Sequence, residues 1–142
     1  MSVILYSDAS FSVESKKAGI ACIAFSDNDQ VAGISTKQVC ADDVVSAELQ
    51  GIIECLHLAE EISCNRGTLY SDCQIAVGLI KKPYSVPRKY QEMVYTILDK
   101  MGNIRIEWGC REGNSQADAL AVLASRRSEL EHREAGCFKF NI

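Results

Sequence analysis

The strongest constraint on the fold is the change of hydrophobic period along the chain. Three apolar, β-forming runs come first: Val3–Asp8, Gly19–Phe25 and Gln30–Val39. The gaps between them are too short for helices. Asp8-Ala9-Ser10 reads as a turn closing the first run, and Asp27-Asn28-Asp29 as a hairpin turn between the second and third. Strands joined this tightly run antiparallel. From about Asp43 to Ile62, apolar residues recur at Val45, Leu49, Ile52, Leu56, Ala59 and Ile62, the spacing of one helical stripe. Thr68–Ser71 reads as a fourth strand entering a helix over Cys73–Lys82. Pro83 and Pro87 bracket a short loop, and Pro87 opens a helix through about Met101. Ile104, Ile106 and Trp108 alternate as a fifth strand. After the loop Gly109–Gly113, Ala117, Leu120, Ala121 and Ala124 mark a last helix to about Glu131. The order β-β-β-α-β-α-α-β-α predicts an α/β fold, a five-stranded mixed sheet in which an antiparallel meander is followed by parallel strands, flanked by helices.

A chain of 142 residues supports one domain, placed here at residues 1–131, with a tail at 132–142 that docks as an extra strand or frays. Hydrophobic residues at 47% and charged residues at 24% exclude a disordered chain. The apolar stretches, such as Ile20–Phe25, are far too short to cross a bilayer, and the N-terminus MSVILYSDAS lacks the pattern of a secretory signal. Seven cysteines, none in a CxxC, predict free thiols in a reducing, cytoplasmic setting rather than a disulfide framework or a zinc site. A net charge of −4 supplies no global attraction for nucleic acid, so any such function must be built locally.

Four acids sit at the ends of these elements. Asp8 closes strand one, Glu48 lies in the first helix, Asp72 follows strand four, and Asp118 falls in the first turn of the last helix. Each has a plain reading: an Asx-turn for Asp8, a dipole-favoured acid for Glu48, a helix cap for Asp72, and a capping box for Ser115 to Asp118. Their neighbourhoods argue for a joint role. Glu48 stands at the edge of its stripe with Ile52 and Cys55, and Asp8 and Asp72 both follow buried strand runs, VILYS and TLYS. If those two strands are parallel neighbours, the acids cluster, and clustered carboxylates are costly unless a cation lies between them. Oxygen ligands of this kind suit Mg²⁺ or Mn²⁺, and two such ions serve in-line cleavage of a phosphodiester.

The segments YSDAS, SAELQGI, LYSDCQ and EGNSQADALA, in this order, resemble type 1 ribonuclease H, most of all its short branch related to plant reverse-transcriptase-like proteins. The resemblance covers residues 1–125. It implies a ribonuclease H-like fold and hydrolysis of the RNA strand of RNA–DNA hybrids, leaving a 3′-hydroxyl and a 5′-phosphate. It also implies two Mg²⁺ ions, or Mn²⁺, held by Asp8, Glu48, Asp72 and Asp118. Asp8 would bridge both ions, Asp118 would share the one that activates water, and Glu48 and Asp72 would hold the one on the leaving-group side. Ser10, Gln74 and Asn114 are implied as substrate contacts, Gln74 in the minor groove and Asn114 beside the last carboxylate.

The chain departs from the family at three places. The loop Gly109-Cys-Arg-Glu-Gly113 has no His where many members carry one, so Arg111 is the local substitute, with a solvated loop Arg as the plain alternative. His57 stands nine positions past Glu48, on the opposite side of its helix, and His132 lies in the tail. Val44 and Val45 occupy the positions of two hybrid-touching asparagines, and the basic protrusion is reduced to Lys81, Lys82, Arg88 and Lys89 with Tyr84 and Tyr90. Competing expectations are a DNA exonuclease or junction resolvase of the same superfamily, and a non-catalytic binding or assembly module. No membrane association is expected, and a monomer is the default.

Overall fold

The computed structural model describes residues 2–109 and Ala121. Its elements are β1 (Ser2–Ser12), β2 (Lys17–Ser26), β3 (Val31–Cys40), α1 (Val44–Glu61), β4 (Arg66–Ser71), α2 (Gln74–Lys81), a 3₁₀ turn (Pro83–Ser85), α3 (Arg88–Met101) and β5 (Asn103–Trp108). The five strands form one sheet in the order β3-β2-β1-β4-β5. The β1–β2 and β2–β3 pairs are antiparallel, and the β1–β4 and β4–β5 pairs are parallel. The predicted mixed sheet is therefore the observed one. The predicted last helix, the loop carrying Arg111 and Asn114, Asp118 and the tail 132–142 lie outside the described residues, apart from Ala121, which is helical and buried. Among the described residues, no helix is long and apolar enough to cross a membrane.

One local expectation is corrected. Asp8-Ala9-Ser10 is not a turn, because β1 runs on to Ser12. Small polar residues favour turns in isolation, but here β2 supplies a partner for each of them, Asp8 facing Ala21, Ala9 facing Ile20 and Ser10 facing Gly19. The reversal comes later, at Lys16, which takes a positive φ of 57°. The second turn falls where expected, with Asp29 at φ 60° and its N–H donating to Ser26 O.

Alternation along the strands sends one set of side chains into the core: Val3, Leu5, Cys22, Ala24, Leu69, Ile104 and Ile106. Against them pack Leu49, Ile52, Cys55, Leu56 and Ala59 of α1, Val77 and Ile80 of α2, and Val94 and Ile97 of α3. The stripe of α1 is wider than its spacing suggests, since Ala47, Glu48, Gly51 and Leu58 are buried too. Its start is fixed by Asp43, whose carboxylate accepts the Ser46 N–H at 2.8 Å while the Ser46 hydroxyl accepts the Asp43 N–H, a reciprocal cap.

Candidate active site

The site grows from the register of β1 and β4. Their parallel pairing runs from Ser2↔Arg66 to Ser7↔Ser71, so the next residue on each chain is an acid, Asp8 or Asp72. In a parallel pair the corresponding residues run side by side. Beyond Ser71 the chain leaves the sheet and enters α2 through Cys73, which is the N-cap residue. Asp72 therefore does not cap that helix, and its carboxylate is available to the cluster.

Glu48 arrives from α1. That helix lies close over the sheet at Gly51, where an added Cβ would stand 3.6 Å from the Asp8 carbonyl oxygen, and where the Cys22 thiol donates to the Gly51 carbonyl at 3.4 Å. Glu48 is one turn earlier on the same helix face. It is only 5% exposed. Asp8, Glu48 and Asp72 each present a carboxylate oxygen, and these atoms all lie within 4.8 Å of one another. An octahedral Mg²⁺ shell spans about 4.2 Å, so small side-chain adjustments close this group around an ion. The donor set is hard oxygen throughout, and a buried carboxylate beside two others has a reason to be there only with compensating positive charge. These residues fit a divalent cation.

The remaining site residues expected from the sequence take defined places. Ser10 is half-buried on β1, two residues past Asp8 and so on the same face of the strand. Gln74 is exposed at the first position of α2. His57 lies apart from the acids, its Nδ1 3.8 Å from Glu54 on the side of α1 that meets Lys37 of β3. The expected basic patch is partly spent inside the fold, for Lys81 binds Glu107 at 3.0 Å and Lys89 binds Asp43 at 3.1 Å.

Two further residues escaped the sequence reading. Cys73 is half-buried between the cluster and α2; burial and the charges of Glu48 and Asp72 push its thiol up, against the amides of Ala76 and Ile75. Asp43 does more than cap α1. Its carboxylate also accepts from the Tyr90 hydroxyl at 2.8 Å and from Lys89, tying the start of α1 to the start of α3. The signal for the cap, Asp43-x-x-Ser46, was present in the sequence; the cross-helix contacts left none.

A 3-2-1-4-5 mixed sheet with an acid group where β1 and β4 part defines the ribonuclease H-like class. The model of the family described as "Reverse transcriptase-like" matches residues 6–124. The chain belongs to that family. No curated protein matches it. Among solved structures, it is similar to the N-terminal RNase H domain of a Mycobacterium tuberculosis protein, with a TM-score of 0.77 at 20% identity over 92% of this chain and 98% of that one. It is similar to RNase H1 of the archaeon Halobacterium salinarum, with a TM-score of 0.75 at 18% identity over 87% and 97%. A third, LC11-RNase H1, solved in complex with an RNA/DNA hybrid, gives 0.74 at 16% identity over 89% and 99%.

Proposed function

We propose that this protein is a metal-dependent endonuclease that hydrolyses the RNA strand of RNA–DNA hybrids to 3′-hydroxyl and 5′-phosphate ends. The observation that carries this reading is the convergence of Asp8, Glu48 and Asp72 within 4.8 Å at the point where the parallel β1–β4 pairing ends. The solved hybrid complex of LC11-RNase H1, a structure of the same fold, supports the choice of substrate.

Asp8, Glu48 and Asp72, joined by Asp118, would hold two Mg²⁺ or Mn²⁺ ions. Bound divalent ions at such a site lower the pKa of a water and stabilise the leaving oxygen. Asp8, on the central strand of the sheet, would be the ligand shared between them. Glu48 contributes a carboxylate held by the packed face of α1, with little freedom to lose when a cation enters. Ser10 and Gln74, each two residues past an acid of the group, and Asn114 would contact the hybrid, where 2′-hydroxyls distinguish RNA from DNA. Arg111 would assist proton movement or product release. The protein would act as a monomer in the cytoplasm.

The test is cleavage of an end-labelled RNA–DNA hybrid, beside duplex RNA and duplex DNA, with Mg²⁺ or Mn²⁺. The expected result is cutting of the hybrid's RNA strand alone, abolished by Asp8→Asn. Cutting of duplex DNA in preference would transfer the protein to the nuclease alternative. An inert wild type that still bound nucleic acid would leave only the binding module.

A further inference from the structure

The chain has a single tryptophan, Trp108, and it is 58% exposed. Large aromatic side chains are mostly buried in folded proteins, because each can remove 150–250 Å² from water. Trp108 stands at the end of β5, and its position in the sheet is specific. Ser7 of β1 pairs with Ser71 of β4, and Ser71 pairs with Trp108 of β5. Trp108 therefore lies on the same line across the sheet as the residues immediately before Asp8 and Asp72. Adjacent strands are about 4.8 Å apart, so this line places the Trp108 backbone roughly 10 Å from that of Ser7. That is about three base steps of a duplex, within the reach of a hybrid lying along this line.

The end of β5 is also well anchored. Glu107 accepts from Lys81 of α2 at 3.0 Å and lies 3.5 Å from Arg105, and the Gly109 N–H donates to Ser71 O at 2.9 Å. A second large apolar side chain, Ile75, is 64% exposed only three residues after Asp72. Electrostatic attraction for phosphate is modest by comparison, with Lys81 and Lys89 engaged by Glu107 and Asp43 on a protein of net charge −4.

We propose that Trp108 is a substrate-binding residue whose indole packs against the sugar edge of the hybrid's minor groove beside the cut. An A-like minor groove is wide and shallow and displays the sugars and 2′-hydroxyls, a surface that a flat amphipathic ring covers well. The contact supplies affinity through buried apolar area, and so does not depend on counterion release. This inference rests on the ribonuclease reading above.

Because Trp108 is the only tryptophan, its emission reports the contact directly. In an Asp8→Asn background, which keeps the hybrid uncut, a fixed hybrid duplex should quench or shift Trp108 emission along the same isotherm as binding. Trp108→Ala should weaken binding roughly tenfold, as expected for losing on the order of 50 Å² of apolar contact. The slope of log affinity against log salt should stay unchanged, and Trp108→Phe should restore most of the loss. Emission that ignores saturating hybrid overturns the proposal, as does an alanine variant that binds like its parent or changes only the salt slope. If the wild type cuts hybrid yet Trp108 emission is silent, this inference alone fails. If the wild type neither binds nor cuts hybrid, the ribonuclease reading fails with it.

Discussion

Ser7 of β1 and Ser71 of β4 are partners in the last rung of a parallel pair, and both side chains are buried. That rung fixes where Asp8 and Asp72 meet. A slip of one residue would flip one strand's side chains to the other face and separate the two carboxylates. The metal group is thus a consequence of sheet register, with Glu48 delivered to it by the close approach of α1.

The register has its own anchor at Gly67, which pairs with Val3 and takes φ 146°. A Cβ there would fall 2.0 Å from the Val3 carbonyl oxygen, a backbone atom with nowhere to move. Gly67→Ala should cost at least about 2 kcal/mol, from strain and overpacking together. Denaturant unfolding measures it, and a loss within about 0.5 kcal/mol would show that the ladder gives way easily.

Asp43 should matter to stability in a pH-dependent way. Burial alone would raise its pKa, but the Ser46 N–H, the Tyr90 hydroxyl and the Lys89 ammonium together hold its carboxyl below the usual value. A depressed folded-state pKa contributes stability that is present above the unfolded value, about 3.9, and is lost as pH falls through the folded one. Asp43→Ala should cost about 1–2 kcal/mol at neutral pH, the range of a lost cap, and the gap to wild type should narrow in acid below about pH 4. Asp43→Asn should keep most of the capping. Melts at neutral and acid pH check both; a gap that widens in acid would contradict the charge assignment.

Arg111 is expected to assist turnover without being essential. Arg111→Ala should lower the hybrid-cleavage rate roughly 10–100-fold, the lower part of what a positioned helper supplies. Single-turnover and steady-state rates separate help in chemistry from help in release. An unchanged rate in both returns Arg111 to solvent.

Much of this was legible in the chain, because burial imposes periods that sequence displays. The three opening strands, the stripe of α1 and the alternation of Ile104, Ile106 and Trp108 all mark real elements. What local pattern could not show is pairing. Asp8-Ala9-Ser10 carries turn-forming residues, yet β2 holds it extended to Ser12. Lys81 and Lys89 look like a nucleic-acid patch in one dimension, but their partners, Glu107 and Asp43, are 26 and 46 residues away along the chain. The acid cluster lies between these extremes. Its members could be named from motifs, and its closeness depends on the β1–β4 register, which only the fold supplies.

The central claim is that these carboxylates act on one another, and thermal melts of wild type and Asp72→Asn, with and without Mg²⁺, test it without any substrate. Without metal, like charges confined to one site repel, so removing one should stabilise the fold by about 1 kcal/mol and raise the midpoint by a few degrees. Mg²⁺ should then raise the wild-type midpoint through binding linkage and raise that of the variant less. Asn in place of Asp would be silent if Asp72 were an ordinary surface acid. Equal midpoints without metal, together with equal shifts on adding it, would contradict the account, because three carboxylates that neither repel nor share a cation are not a metal centre.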